Sequence, residues 1–172
     1  DGDFPFLEVT GDVDLQGGKW THLAQPSTTE AKYRLYAQVG GNLTVGAKAS
    51  VYAVGLGYQK LCNPLTGAAV SLSGRYGGTH GGYSSTSHDL LWPYDSVTAP
   101  EMLGGRGSGY LGGGAIRLDV GGLFTVDGTV DASAVGCKND SGAGGSVYVR
   151  AGSIAGAGSV LARIVQTGST YP

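Results

Sequence analysis

Short runs of alternating apolar and polar residues, most of them ended by glycine, follow one another along this chain. A period of two indicates half-buried β-strands, because successive side chains of a strand point to opposite faces. No segment of about twelve or more residues keeps a helical period with capping residues. The pattern therefore predicts an all-β chain with almost no helix. The predicted strand segments lie at 7–15, 33–39, 42–54, 115–135 and 146–165.

The strand segments are also copies of one another. Offsets of 36 (Leu7 to Leu43), 81 (Leu43 to Phe124) and 30 (Val130 to Val160) bring their apolar positions together. Such self-similarity is typical of a solenoid, in which each coil buries its apolar side by stacking on its neighbours. We predict a single β-solenoid domain over 1–172. The aligned positions are Leu7, Val9, Gly11, Val13 and Leu15; Leu43, Val45, Ala47, Ala49 and Val51; Phe124, Val126, Gly128, Val130 and Ala132; and Ile154, Gly158, Val160 and Ala162.

The long offset between the second and third copies predicts an insertion. A coil of about 30 residues leaves roughly 50 surplus residues there, which we assign to a glycine-rich insertion at about 56–112. Glycine pairs and prolines make this segment rich in turns. Long insertions in solenoids project from one face, and that face often carries the function.

Composition excludes several classes of partner. The chain has 33 glycines in 172 residues, only 14% charged residues and a formal net charge of −2. Without a basic field we expect neither nucleic-acid binding nor attachment to an anionic membrane. No apolar run reaches the roughly 18 residues of a membrane span. Because the chain opens at Asp1 without an initiator methionine, we interpret it as a processed mature form or a fragment.

Cysteines and glycosylation sequons favour an extracellular or cell-surface location. Cys62 and Cys137 each follow a glycine that closes a repeat, which places both at one edge of the stack and predicts a disulfide; two free thiols are the alternative. Asn42 and Asn139 begin the tripeptides Asn-Leu-Thr and Asn-Asp-Ser, which are acceptors for N-glycosylation.

Several segments resemble glycine-rich repeat regions of large secreted or surface proteins of bacteria and some protists. The resemblance covers about 40–165, and its most specific parts are GGGAIRL at 112–118, VDGTVDA at 126–132 and GGSVYVRAG at 144–152. It implies a right-handed parallel β-helix that builds stalks, adhesins or appendages. The chain departs from the resemblance at 88–102, HDLLWPYDSVTAPEM, where such regions are richer in glycine and serine. The resemblance carries over no catalytic residues.

Five aromatic residues of the insertion offer a second interpretation. Rings that stack on sugar faces beside polar groups would form a glycan-binding surface. The competing interpretation is a small satellite core that keeps the insertion folded. The five residues are Tyr76, Tyr83, Trp92, Tyr94 and Tyr110.

Candidate catalytic and metal-binding groups are sparse. His80 and His88 are eight residues apart on turn-forming sequence, so we expect no metal site. Acidic residues that alternate with apolar ones lack the repeated calcium-binding nonapeptide, and we expect them to face solvent. Arg117 beside Asp119 is the best charged pair, and one such pair does not make an active site. We therefore expect no enzyme and no cofactor.

The two ends of the repeat array complete the functional hypothesis. The pattern starts at about Leu7 and persists to about Val165, without a segment for a capping helix. Uncapped strand edges favour association with further strands. We predict a structural subunit of an extracellular filament, appendage or adhesive stalk, whose partners are copies of itself, end to end, or adjoining domains of a longer chain. The alternative is a carbohydrate-binding adhesin module.

Overall fold

The computed structural model describes residues 6–26, 31–60, 77–82, 93–137 and 140–166. Over these residues the chain is all-β, without helix, and its parallel strands stack as a solenoid of about four turns. The predicted fold class is confirmed. The right hand of the helix stays a prediction.

Each coil contributes two or three strands. The first coil holds β1 (Leu7–Val9) and β2 (Val13–Thr21), and the second holds β3 (Leu35–Val39) and β4 (Leu43–Tyr52). The third holds β5 (Ala115–Val126), β6 (Thr129–Asp131) and β7 (Ala134–Cys137), after which β8 (Asp140–Ser141) pairs antiparallel with β7. The fourth holds β9 (Ser146–Ala155), β10 (Ser159–Leu161) and β11 (Ile164–Gln166).

Strand register confirms one predicted offset, confirms a second in part and corrects the third. Val130 pairs with Val160 as the sequence alignment predicts. The offset of 81 holds where Leu43 pairs with Phe124, but Val51 pairs with Val130 and not with the predicted Ala132, because the second coil has two more residues than the third between these paired segments. Leu7, however, pairs with Ala37 and not with Leu43, so the predicted offset of 36 between the first two copies is wrong. An alignment shifted by six residues keeps every apolar position in phase, because the pattern has a period of two.

The core is one apolar column inside the coils. It contains the inward side chains of the second and third coils, while residues of the first and fourth coils pack against it from either end. A side chain is buried here only if a coil lies on both sides of it. The buried members are Leu35, Ala37, Val39, Leu43, Val45, Ala49, Val51, Ala53, Ile116, Leu118, Val120, Phe124, Val126, Val130 and Ala132.

Glycines line one corner of the stack because the backbones of successive coils nearly touch there. A Cβ added at Gly40 would lie 2.5 Å from the carbonyl oxygen of Thr10 in the coil beside it. Gly121, in the third coil, lies against Gly40 in the same way. Larger residues at these corners would force the coils apart.

The insertion packs on the side of the solenoid through its backbone. Gly104 donates its N–H to Gly113 at 2.8 Å, and Gly78 donates to Ser141 at 2.8 Å. A second small core of Tyr58, Tyr94, Leu103 and Ala115 fills the space between the insertion and β5. These contacts hold the insertion close to the third and fourth coils.

Candidate functional site: the open ends of the solenoid

The apolar column is cut off at both ends. Val51 and Val130 occupy one register position in the second and third coils and are 0% exposed, whereas Val160 at the same position in the fourth coil is 54% exposed. Ile154 is 66% exposed although its register partner Phe124 is 1% exposed. The fourth coil therefore presents to solvent the side chains that a solenoid normally buries.

The first coil adds a hollow to its open face. Leu7 is 48% exposed, and an open cavity of about 320 Å³ is lined by Leu7, Val13, Leu15 and Trp20 among others. Apolar walls of this kind fit apolar side chains from a neighbouring coil.

Strand edges at both ends lack a neighbour among the described strands. β1 and β2 pair only with strands of the second coil, and β9, β10 and β11 pair only with strands of the third. Such edges present rows of backbone N–H and C=O groups that accept another strand.

The two ends carry opposite charge. The described first coil, 6–26, contains Glu8, Asp12 and Asp14 against Lys19, a formal charge of −2. The fourth coil, from β9 to β11 (146–166), contains Arg150 and Arg163 and no acidic residue, a formal charge of +2. The ends are thus electrostatically complementary.

A lateral groove runs across the outer face of the sheet formed by β1, β3, β5 and β9. Its open volume is about 630 Å³, and Glu8, Gln38, Asp119 and Arg150 are among its lining residues. Arg117 also lines it. The groove therefore joins one end of the solenoid to the other.

Arg117 is held by both aromatic and acidic neighbours. Its guanidinium lies 4.6 Å from the ring centre of Tyr36 and 5.4 Å from that of Tyr148. Its Nε donates to Asp119 Oδ2 at 3.0 Å, and its Nη1 pairs with Glu101 of the insertion. Burial opposes the charged form, but the hydrogen bond and charge of Asp119 and the charge of Glu101 together raise the pKa of Arg117. The groove therefore contains a cation that is paired with two carboxylates of the chain.

A buried polar cluster fastens the insertion to the fourth coil; we name His80, Asp95 and Ser146 the insertion latch. His80 Nε2 lies 3.0 Å from Asp95 Oδ2, and the Ser146 hydroxyl lies 3.0 Å from the same oxygen. Burial raises the pKa of Asp95, but hydrogen bonds from Met102, His80 and other donors outweigh it, so the pKa of this carboxyl is lowered.

The latch has the residue types of a nucleophilic triad without its geometry. Ser146 is 2% exposed, and its hydroxyl lies 2.6 Å from the carbonyl oxygen of Met102. His80 Nδ1 is 2.8 Å from the carbonyl oxygen of Gly144. Because backbone groups occupy these polar atoms, the cluster leaves no open position for a substrate. We interpret it as structural.

Of the predicted aromatic residues, the structure describes Tyr94 and Tyr110. Tyr94 is 5% exposed and donates its hydroxyl to the Leu103 carbonyl, so the prediction that its ring faces a glycan needs correction: its ring belongs to the small core instead. Tyr110 is half-buried, and its carbonyl accepts from Gly107. The other predicted residues Tyr76, Tyr83, Trp92, Cys62 and Asn139, together with the side chain of Cys137, lie outside the described residues.

Asn42, a predicted glycosylation site, is exposed at a corner of the second coil. Its Oδ1 accepts the N–H of Leu123 in the third coil at 2.8 Å, while its own N–H donates to Asp12 Oδ1 in the first coil at 2.7 Å. The residue thus links three coils. Its glycosylation stays a prediction.

Comparison with known proteins adds no relative. No family model, curated protein or solved structure matches the chain. Within the described part, no group of three or more His, Cys, Asp or Glu side chains is placed to hold a metal ion, and no helix could cross a membrane.

Proposed function

We propose that this chain is a structural subunit of an extracellular filament, surface appendage or adhesive stalk, built by stacking solenoids end to end. The observation that supports the proposal is the truncated core. The same register positions are buried in the middle coils and exposed in the terminal ones, as Val130 and Val160 show.

End-to-end stacking would bury the exposed apolar side chains of the terminal coils and pair their free strand edges. Fully burying a valine, leucine or isoleucine side chain is worth about 1.5–3 kcal/mol, and each end presents several. New strand pairing would also satisfy the edge N–H and C=O groups. The partner in this proposal is another copy, or an adjoining solenoid domain of a longer chain.

The remaining features fit a scaffold without chemistry of its own. The insertion latch is closed by backbone groups, and Arg117 is engaged by Asp119 and Glu101. We propose no enzymatic activity and no cofactor. The sequon at Asn42, on an exposed corner, supports the extracellular location within this proposal.

Electron microscopy and sedimentation of the purified chain test the function. We expect linear polymers for the unmodified chain and monomers for Val160→Lys, because a cation would then lie on the open apolar end. Val97→Lys is the matched control, since Val97 is 99% exposed on the insertion and lies in neither terminal coil. Dispersed monomers of the unmodified chain at high concentration would overturn the proposal.

The lateral groove supports a second candidate, a carbohydrate-binding adhesin module. Tyr36 and Gln38 place an aromatic ring and an amide along an open groove, as sugar recognition requires. On a glycan array, binding lost in Tyr36→Ala and kept in Tyr52→Ala would support the groove. A loss confined to Trp92→Ala would assign binding to the insertion, and no binding by the unmodified chain would reject the module.

A further inference from the structure

We infer that the partner at each end is a second copy of this chain, added head to tail, with Arg150 of one copy beside Glu8 of the next. This inference rests on the proposed stacking function. It goes further by stating the partner, the polarity and the register of the junction.

Strand register within the chain defines the geometry of the junction. Glu8 pairs with Gln38, Gln38 with Asp119, and Asp119 with Arg150, so these four positions form one row across the four coils. We name it the charged row. A fifth coil that repeats this register would place Glu8 of the next copy beside Arg150.

The two ends of the charged row carry opposite, exposed charges. Arg150 has one acidic neighbour, with its Nε 3.8 Å from Asp119 Oδ1, and its side chain is 67% exposed. Glu8 is exposed, and its register partner Gln38 is neutral. Each charge would therefore find its counter-ion at the other end of a neighbouring copy.

The apolar column agrees with the same register. Repeating it would set Val149 beside Leu7, Ile154 beside Val13 and Val160 beside Trp20 of the next copy. Leu7, Val13 and Trp20 all line the apolar hollow of the first coil. One junction thus covers exposed apolar groups of both copies.

Other registers lose one of these matches. A slip of one residue would set Arg150 beside Leu7 or Val9, whose side chains point to the opposite face from that of Glu8, because successive side chains of a strand alternate. A slip of two residues would set Arg150 beside Phe6 or Thr10, neither of which is charged. Joining two like ends would bring together coils of the same net charge.

The polarity predicts an open polymer. A head-to-tail contact uses two different surfaces on each copy, so it repeats without closing unless a rotation forms a ring. The lateral groove would then continue from copy to copy along the polymer.

Charge reversal tests the register. We expect Glu8→Arg and Arg150→Glu each to raise the critical concentration for polymerisation on the order of tenfold, because each puts like charges side by side at the junction. The double variant Glu8→Arg/Arg150→Glu should restore it. Arg163→Glu, which makes the same charge change in the same coil away from the charged row, should have a much smaller effect.

Failure of the register and failure of the function are distinguishable. If the unmodified chain polymerises but the single reversals leave its critical concentration unchanged, if Arg163→Glu acts as strongly as Arg150→Glu, or if the double variant stays impaired, the register is overturned and the function stands. If the unmodified chain stays monomeric, both are overturned. Arg150→Glu places a second carboxylate beside Asp119 and could unfold the chain. In that case Glu8→Gln and Arg150→Gln test the register instead, and each should raise the critical concentration by a smaller factor.

Discussion

Asp95 shows how one side chain can hold a long insertion in place. Its two oxygens accept from the N–H groups of Ser96, Glu101 and Met102 and from His80, and the Ser146 hydroxyl lies 3.0 Å from one of them. Its φ of 81° lies in the left-handed region, which aspartate and asparagine enter more readily than other non-glycine residues. The residue is thus both a turn former and the centre of the insertion latch.

Acid should weaken the latch through Asp95. Hydrogen bonds lower the pKa of this carboxyl below its unfolded value of about 3.9, so the stability it contributes is fully present above that pH and is lost as pH falls through the folded value. Asp95→Asn keeps the backbone preference and removes the titration. We expect it to lower the free energy of unfolding by about 2 kcal/mol near pH 7 and to flatten its fall below about pH 4.

Urea unfolding at a series of pH values measures this difference. Asp14→Asn is the control, because Asp14 is exposed and lies in the first coil. The same loss of stability in acid for Asp95→Asn and the unmodified chain would show that other carboxyl groups are responsible.

Asn42 stabilises the corner where three coils meet. Its Oδ1 accepts the Leu123 N–H at 2.8 Å, so Asn42→Ala leaves that N–H with water alone and should cost about 1 kcal/mol. Asn42→Asp keeps the acceptor and should retain most of the stability. Chemical denaturation of the three proteins compares them, and equal losses in both variants would contradict the role of this hydrogen bond.

At the scale of the strands, the burial of a side chain depends on whether its coil lies in the middle or at the end of the stack. Val130 and Val160 are the same residue type at the same register position, yet one is 0% and the other 54% exposed. The difference comes only from the coil that covers Val130. The pair therefore forms an internal comparison of a middle and a terminal coil.

Val130→Ala should cost about 2 kcal/mol of folding stability through lost burial and a residual cavity, whereas Val160→Ala should change the monomer by less than about 0.5 kcal/mol. In polymers, the stability cost of Val160→Ala should rise toward that of Val130→Ala. Thermal unfolding below and above the polymerisation threshold separates the two states. A Val160→Ala cost that does not depend on concentration would argue against burial of this residue in the assembly.

The alternation of apolar residues was sufficient to predict strands and their stacking as coils, because these depend on local periodicity. Register between the first two coils was not predictable, since a period of two fits Leu7 to Leu43 as well as to Ala37. The insertion latch was also missed: Ser146 is 51 residues from Asp95, and nothing near either residue indicates the other. The roles proposed for Glu8 and Arg150 were also not predictable, because only the strand register shows that they lie at opposite ends of one row.

Over the whole molecule, the opposite charges of the two ends favour head-to-tail contacts and make the rate of the proposed assembly depend on salt. Attraction between exposed ends is screened over about 8 Å at physiological ionic strength, so it chiefly affects how fast copies meet. The apolar column then supplies the cohesion that salt does not remove. Polarity is the property that separates this arrangement from a symmetric dimer.

Two variants blocked at opposite ends test the polarity directly. Val160→Lys blocks the fourth coil, and Leu7→Lys, at a residue 48% exposed, blocks the first. Each alone should stay monomeric, because one of its two surfaces is unusable. Mixed together they should form a one-to-one heterodimer and nothing longer, since only the first coil of one and the fourth coil of the other remain free.

Sedimentation velocity of the separate and mixed variants gives the result. Val97→Lys mixed with either variant is the control and should still give short polymers, because both of its ends are intact. A symmetric contact between like ends predicts instead that Val160→Lys or Leu7→Lys alone forms a homodimer through its open end. That homodimer would rule out head-to-tail growth, whereas a heterodimer found only in the mixture requires two different and complementary surfaces on every copy.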